Sequence, residues 1–415
     1  MNNKYEKAKE ILKKYNQEHV INYINKADLN IREKLINQIL NIDFEELKEL
    51  YKKTTESINN NISNLEPISG INPEKLSDKE KKEIIDIGEK IIKSNKYAVA
   101  TMAGGQGTRL GHSGPKGTFK MNLNGAEKSL FEVIVDTLKT ANNKYSVVIP
   151  WYIMTSDENN NETVNFLENN NYFGYPKDYI YIFKQSKLPL LDKEGKLLIG
   201  EDGLIKEASN GNGGIFKSML DKNAINDMEK RGIEWIFIGS IDNVLLKYVD
   251  IMLLGLTSKQ KNLIGTRSVL KISPEERVGV LCKQDGKVGV IEYTELPENI
   301  AKMKNLSGEL AFGESHIMCN LFNIEAIKRC SKNEMQYHVA FKKSNYLDEN
   351  GKLVNPKEPN AYKFEQFIFD SFKVFDSISI LRGKREEDFA PVKNMSGADS
   401  PETAKKLYEN YWKNK

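Results

Sequence analysis

TMAGGQGTRLGHSGPKGTF, from Thr101 to Phe119, takes over from the apolar run Tyr97–Met102 and turns it abruptly into a glycine-rich loop. A short apolar run that ends in glycines reads as a buried strand feeding a ligand-binding turn. Gly104, Gly105 and Gly107 let the backbone bend sharply and come close to a ligand, so that successive N–H groups can face phosphate oxygens. Arg109 and Lys116 add fixed positive charge within reach of the same loop. Two familiar templates fail. A P-loop requires GxxxxGK[ST], and Lys116 follows Pro115 instead of glycine. The dinucleotide fingerprint GxGxxG fails because, after Gly105 and Gly107, the third glycine is Gly111, one residue late. On spacing alone, a glycine-rich turn carrying two surface cations remains the alternative.

Downstream of this loop, apolar runs bounded by turns alternate with helix-like stretches. The runs Val147–Met154, Tyr179–Phe183 and Trp235–Ile241 predict an α/β fold with a mixed, mostly parallel sheet covered by helices. In VGVLCKQDGKVGVIEY, Val278–Tyr293, the Asp285-Gly286 pair between two apolar segments predicts a β-hairpin. Upstream, the pattern is helical. Tyr5, Ala8, Leu12 and Tyr15 share one stripe, and Asp43 with Glu46 forms an N-terminal cap signal flanked by Ile42 and Leu47. Asn, Ser and Pro accumulate from Ser57 to Pro73 as a connection, and Ser77 with Glu80 opens a helix with Ile84, Ile87, Ile91 and Ile92 facing a core. The expected division is a helical region 1–94, a catalytic core 95–380 including the hairpin 278–295, and a short segment 381–415 ending in a helix at about Pro401–Trp412.

Composition narrows the class. Sixty-one Lys+Arg against 58 Asp+Glu leave a net charge of +3, which gives no support to a nucleic-acid binder. Hydrophobic residues at 39% suffice for a core, and no apolar run approaches the roughly 18–20 residues that span a bilayer. The N-terminal MNNKYEKAKE lacks the apolar stretch of a signal peptide. Cys282, Cys319 and Cys330 show no CxxC spacing, and His19, His112, His316 and His338 are too scattered for a metal cluster. His19 and His338 read as structural. The expectation is a soluble, cytoplasmic protein with small-molecule partners.

GGQGTRLG followed by PKG resembles the signature of the eukaryotic-type UDP-sugar pyrophosphorylases, which make UDP-sugars from UTP and a sugar 1-phosphate. The chain is similar to the N-acetylhexosamine branch of that family in YNQEHVINYI, NIDFEEL, WYIMTS, NYFGYP, FKQSKLP, NGNGGIF, MEKRGIEWIFIGSIDNVL, VGVLCKQDGKVGVIEYTEL, QYHVA, KFEQFIFD and FAPVKN. These segments run in order from about Tyr15 to Asn394. The resemblance implies a Rossmann-like nucleotidyltransferase core with a helical N-terminal region.

It also implies roles. Gly104 and Gly105 would wrap the nucleotide, and Arg109 and Lys116 would hold the triphosphate and the departing pyrophosphate. Gln185 would read uracil, with Gly211 and Asn212 also binding uridine. Asp242 would coordinate Mg²⁺, for which Mn²⁺ can substitute, and Gly279 and Glu292 would hold the sugar. Lys363 and Lys393 match the family's phosphate-contacting cations. Taken without the family, Asp242 at a strand end reads as a turn or cap, the Gly211–Gly214 stretch as a flexible turn, Glu292 as an outward residue and Lys393 as part of a mixed charge run.

Two departures stand out. Where the family usually carries a sugar-binding Asn, GESHIMCNLF places Ser315-His316-Ile317, and His316 reads either as a substitute donor to the sugar or as a satisfied residue of the pocket wall. Larger members continue into a C-terminal β-rich domain that this sequence does not show, so the expectation is a monomer or weak homo-oligomer. KFEQFIFD predicts strand alternation with Phe367 and Phe369 on one face; the resemblance implies that Phe369 lines an acyl pocket, and the alternative is that both are plain core residues of the sheet. The implied activity is UTP:N-acetylglucosamine-1-phosphate uridylyltransfer. A glucose-1-phosphate enzyme and a broad UDP-sugar pyrophosphorylase are the alternatives. A nucleotide-dependent oxidoreductase is disfavoured by the late third glycine, and a non-catalytic UDP-sugar sensor by the presence of Arg109, Lys116, Asp242 and Lys393 together.

Overall fold

Among the described residues, ten strands hydrogen-bond into one mixed sheet. In the computed structural model, which describes residues 2–55, 64–332 and 335–414, these are β1 (Leu65–Pro67), β2 (Tyr97–Met102), β3 (Trp151–Thr155), β4 (Ile180–Lys184), β5 (Trp235–Ser240), β6 (Ile264–Leu270), β7 (Val280–Gln284), β8 (Lys287–Ile291), β9 (Glu314–Asn323) and β10 (Ser379–Arg382). The main path runs β1-β7-β9-β5-β2-β3-β4, with β6 beside β9 and β10, and β8 beside β7. β5, β2, β3 and β4 form a continuous parallel block. The long strand β9 then runs antiparallel to β5, β6 and β7 and ties the parallel block to the rest.

The α/β expectation holds, and its strands lie where the apolar runs predict, with small offsets. β2 has its predicted limits, whereas β3 begins only at Trp151, after Pro150. Parallel strands covered on both faces are near-continuous apolar runs, and all six residues of β2 and all five of β3 are buried, Thr101 and Thr155 among them. The hairpin signal is met by Asp285 and Gly286, both at positive φ (51° and 78°), between β7 and β8. Two residues in that conformation match the right-handed twist of the flanking strands.

The chain divides into two compact units, and this differs from the expected boundaries. One comprises Met1–Asn61, Ser186–Gly214 and Gln336–Phe367; the other comprises Ile62–Gln185, Ile215–Met335 and Ile368–Lys415. The helical region therefore does not run to residue 94. Helix Asp78–Lys93 belongs to the sheet unit, and segments far along the sequence complete the helical one. Sequence-local patterning shows where helices are, but not which distant strands supply the other half of their core.

In the helical unit, Ala8, Leu12, Val20, Ile24, Leu35 and Ile39 pack with Leu47, Leu197, Ile199 and Phe364. Asp43 Oδ1 accepts from the Glu46 amide at 2.9 Å, as the cap signal predicts. His19 Nε2 bonds the Leu197 carbonyl at 2.8 Å, a structural role. Most of the predicted connection Ser57–Pro73 that precedes β1 lies outside the described residues; its later part contains β1.

In the sheet unit, Ser77 and Glu80 form the predicted capping box. The helix they open buries Ile84, Gly88 and Ile92, with Ile91 packed at the margin, while Ile87 is half exposed. The buried stripe thus includes a glycine that pattern reading passes over. Its reason is close approach: a Cβ on Gly88 would lie 2.2 Å from the Ile251 carbonyl oxygen, and one on Gly255 would lie 1.8 Å from that of Ile84. Helices Asp78–Lys93 and Ile251–Lys259 touch backbone to backbone there.

Gly255→Ala is expected to force these helices apart and to lower stability by about 1–3 kcal/mol, the usual range for overpacking. Urea unfolding checks this, and an unchanged midpoint would show that the contact is not constrained.

Candidate functional site

Strand order decides where the site lies. From β2 the chain passes through helix Leu130–Tyr145 to β3 on one side, whereas β5 flanks β2 on the other. Ligands of open α/β sheets bind beyond the carboxyl ends of strands that diverge in this way. The glycine-rich loop leaves the end of β2 there, and Ile241-Asp242 leave the end of β5.

The loop closes on itself. Gly107 N donates to Gly114 O at 2.9 Å and Lys116 N to Gly105 O at 3.1 Å, so Lys116 is delivered back to the start of the loop. Its floor is held by Asn159, a fully buried residue. Asn159 Nδ2 donates to Ala103 O at 2.8 Å and Gly105 O at 3.3 Å, while its Oδ1 accepts from Ser156 N at 2.8 Å. Sequence reading missed Asn159, which has only the look of a polar loop residue. The amides of Gly104 and Gly105 find no acceptor among the described residues. A Cβ on Gly105 would meet nothing within 4 Å, so this part of the backbone is open to a ligand.

Lys116 and Asp242 meet at 3.3 Å, Nζ to Oδ2, with side chains only 10% and 20% exposed. Burial holds the Lys116 ammonium below its ordinary pKa. Asp242 opposes that shift, and Arg109 and Lys393 add to it. Burial also works against ionisation of Asp242, but Lys116 and Lys393 outweigh it and hold the carboxyl below its ordinary value. Lys116 and Asp242 thus share a neighbourhood in which three cations face one carboxylate. Arg109 is exposed and forms no ion pair among the described residues.

Lys393 arrives from the far end of the chain. Val392 N donates to the Asp242 carbonyl at 2.7 Å, and Val244 N donates to the Ala390 carbonyl at 3.2 Å, so Ala390–Val392 lies alongside the segment that carries Asp242. Lys393 Nζ lies 3.8 Å from Asp399 and 5.5 Å from the Phe389 ring centre. Gln185 N donates to Thr155 O at 2.8 Å just past β4, and a Cβ on Gly104 would lie 3.3 Å from Gln185 Oε1. The expected uracil reader therefore stands against the loop.

The expected sugar residues also converge in this unit. A Cβ on Gly279 would stand 3.7 Å from Glu292 Oε1, and His316 N donates to Gly279 O at 2.9 Å. His316 is only 6% exposed. Its Nε2 lies 2.9 Å from Asn320 Oδ1, an oxygen that can only accept, so Nε2 carries the proton. Phe369 and Phe372 meet the imidazole edge-on, with centroids at 5.7 and 5.6 Å. One expectation is corrected. Phe369 is not on a strand: β pairing ends at Glu365, and Ile368–Val374 coils as a 3₁₀ segment. The alternation of Phe367 and Phe369 is therefore lost, although Phe369 still walls His316. An apolar, aromatic run fits either backbone, and packing against His316 decides between them.

Gly211, Asn212 and Lys363, also expected at the nucleotide, belong to the helical unit. Gly211 has φ +83°, and a Cβ there would lie 2.2 Å from the Gln366 carbonyl oxygen. Both features demand glycine. Gly213 N donates to Gln366 O at 2.8 Å, which ties this turn to the strand end. Lys363 pairs with Glu365 at 2.8 Å. His338 stacks on Phe367 at 4.9 Å, again a structural role.

A glycine loop open to anions, two buried or half-buried lysines and a strand-end carboxylate at a sheet switch point define a nucleotidyltransferase-type α/β protein. The family described as UTP--glucose-1-phosphate uridylyltransferase matches residues 42–399, and the chain belongs to it. The chain is 35% identical over 421 residues to a probable UDP-N-acetylglucosamine pyrophosphorylase of Dictyostelium discoideum, covering 96% of this chain and 86% of the relative. To the UDP-N-acetylglucosamine pyrophosphorylase of Saccharomyces cerevisiae it is 35% identical over 347 residues, covering 80% and 72%. The solved uridine diphosphate N-acetylglucosamine pyrophosphorylase of Trypanosoma brucei, in complex with inhibitor, superimposes with a TM-score of 0.83 at 28% identity, over 97% of this chain and 84% of that one. The family read from the sequence motifs is the one the whole chain supports.

Burial pushes the His316 pKa down to about 4, with the Asn320 hydrogen bond working the other way. The folded state therefore keeps His316 neutral where the unfolded chain, titrating near 6.5, takes up a proton. Stability due to His316 is complete above about pH 6.5 and is lost as pH falls toward 4, by up to about 3 kcal/mol. Thermal unfolding of wild type and His316→Gln across that window is expected to show a flatter profile in the variant. Parallel profiles would mean that His316 titrates normally.

Proposed function

We propose that this chain forms UDP-N-acetylglucosamine and pyrophosphate from UTP and N-acetylglucosamine 1-phosphate. The observation that carries this reading is the gathering of Lys116, Asp242 and the Lys393 segment around the open glycine loop. The chain in which this occurs is 35% identical, over 96% of its length, to a protein named for that product.

The chemistry follows from charge. A sugar 1-phosphate is already an oxyanion at neutral pH, so attack on the α-phosphorus of UTP needs no general base. The new bond joins the sugar phosphate oxygen to the α-phosphorus, and the bond to the bridging oxygen breaks as pyrophosphate leaves. The barrier is the repulsion between two anions, and the residues present answer it by neutralisation and alignment. Lys116, Arg109 and the open amides of Gly104 and Gly105 bind the triphosphate and take up the charge that develops on pyrophosphate. Lys393, carried by the segment bonded to the Asp242 backbone, steadies the attacking phosphate. Gln185 presents an amide, which can pair with both a donor and an acceptor on the uracil edge. Gly279, Glu292, His316 and Phe369 wall the sugar, Glu292 accepting from hydroxyls and Phe369 giving the acetyl group an apolar surface.

Asp242 fits a divalent cation, Mg²⁺ or Mn²⁺. It is a partly exposed carboxylate kept ionised by its neighbours. Among the described residues, no group of three or more His, Cys, Asp or Glu forms a protein-only site. Mg²⁺ ordinarily takes one or two carboxylates plus substrate phosphates, which is the donor set a bound nucleotide would complete here. Bound there, such an ion supplies Lewis-acid neutralisation at the phosphates.

Pyrophosphorolysis of UDP-N-acetylglucosamine, UDP-N-acetylgalactosamine and UDP-glucose, run side by side, tests the assignment. N-acetylated sugars are expected to be preferred by about ten-fold to a hundred-fold, the discrimination a single apolar contact supports. A preference for UDP-glucose would replace this reading with the glucose enzyme. Folded Lys116→Ala protein is expected to lose about a hundred-fold to a thousand-fold in turnover, as for removal of one preorganised donor. Turnover near wild type would remove Lys116 from the phosphate site.

Excess chelator is expected to abolish activity, with restoration by Mg²⁺ or Mn²⁺ in wild type but not in Asp242→Asn. Full activity under chelation would show that the cationic side chains suffice.

A further inference from the structure

Arg267, on β6, is buried, and among the described residues it forms no hydrogen bond or ion pair through its side chain with the residues assigned above. Its Nε donates to Asp250 Oδ2 at 2.7 Å, and its Nη1 reaches Asp388 at 3.5 Å. Lys247 Nζ closes on Asp388 Oδ1 at 2.8 Å. Gly383 leaves room for that carboxylate, since a Cβ there would lie 2.2 Å from Asp388 Oδ2. Buried ion networks of this kind are weak sources of stability, because desolvating each ion offsets much of the attraction. An apolar cluster would hold the fold as well, so the question is what this network fixes in place.

Asp388 begins the stretch that ends at Lys393. Its carbonyl accepts from Asn243 Nδ2 at 2.7 Å, and Asn243 Oδ1 in turn accepts from the amides of Ala390 at 2.9 Å and Leu245 at 3.1 Å. With Val244 N on Ala390 O and Val392 N on Asp242 O, five residues of chain are stitched in one register onto the segment that follows β5. Lys393 is the next residue, and Asp242 is the carboxylate paired with Lys116. A charge can be aimed at a phosphate only as well as its backbone is held, and misplacement by about 1 Å can cost a hundred-fold in rate.

We infer that Arg267, through Asp388 and Asn243, is a positioning residue that sets Lys393 against the phosphate site. This rests on the proposed reading of Lys393 as a phosphate-contacting cation. Arg267 touches no substrate. It fixes Asp388, Asp388 fixes the register of Ala390–Val392, and the register fixes where the Lys393 ammonium stands.

The test is a double-mutant cycle on the full chain, assayed with UTP and N-acetylglucosamine 1-phosphate. Arg267→Met, confirmed folded by circular dichroism and thermal melting, is expected to lose about ten-fold or more in kcat with a much smaller change in KM for either substrate. Combined with Lys393→Ala, it is expected to add little to the loss from Lys393→Ala alone, because both act on one group. Arg267→Lys, which keeps the charge, is expected to recover part of the loss. If Arg267→Met does not fold, Asp388→Asn carries the same cycle, since it keeps the side-chain volume and the backbone bond to Asn243. Losses that add independently to that of Lys393→Ala, or a kcat near wild type in the folded variant, overturn the inference. Near-normal turnover in Lys393→Ala alone is a separate result: it removes Lys393 from the phosphate site and the inference with it.

Discussion

Six parallel pairings, from Tyr97 with Trp235 to Met102 with Ser240, bind β2 to β5, and the rest of the site depends on them. The first loop glycine, Gly104, lies two residues beyond the first strand and Asp242 two residues beyond the second. Their adjacency follows from the register, with no direct bond between the loop glycines and Asp242 required. A slip of one residue would turn every side chain of these strands to the opposite face. Burial of all six residues of β2 makes such a slip costly on both faces.

On this frame the chain sets an arrangement of charge that is uncomfortable without an anion. Lys116 is held below its ordinary pKa mainly by burial, with Arg109 and Lys393 contributing, while Asp242 is kept ionised by two lysines in spite of its burial. Negative charge brought in among these cations would favour the charged form of Lys116. Preorganisation of this sort places the unfavourable part of the electrostatics in folding, so that little rearrangement is left for the reaction itself. The surroundings of His316 are built differently. There a neutral, buried imidazole is fixed by Asn320 and hemmed in by two phenyl rings, a wall suited to an uncharged ligand.

The two ends share a dependence on distant sequence. Asp242 and Lys393 are separated by most of the second half of the chain, and Gly279 meets His316 only because β7 and β9 are paired. Long-range contacts of this kind are carried by backbone hydrogen bonds and by buried polar side chains such as Asn159, Asn243 and Arg267. Asn159 and Arg267 belong to no quoted motif, and Asn243 lies in one only as the neighbour of Asp242. Their signal exists only after folding, as an amide or guanidinium with every neighbour in place.

The α/β class, the strand runs, the Asp285-Gly286 hairpin, the capping box at Ser77 and the glycine loop with Arg109 and Lys116 were all legible in the amino-acid order. Each of these is written locally, in periodicity, turn chemistry or a contiguous motif, and local patterns survive without knowledge of the fold. Resemblance to a family added Gln185, Asp242, Glu292 and Lys393, which composition and spacing would have left as turn or surface residues. It took the folded chain to establish that Ser186–Gly214 and Gln336–Phe367 complete the helical unit, that Gly88 and not Ile87 meets the neighbouring helix, and that Phe369 sits on a 3₁₀ turn against His316. The physical reason is the same in each case. These outcomes depend on which surfaces meet across long stretches of chain, and a side chain's fit to a partner hundreds of residues away leaves no periodic trace.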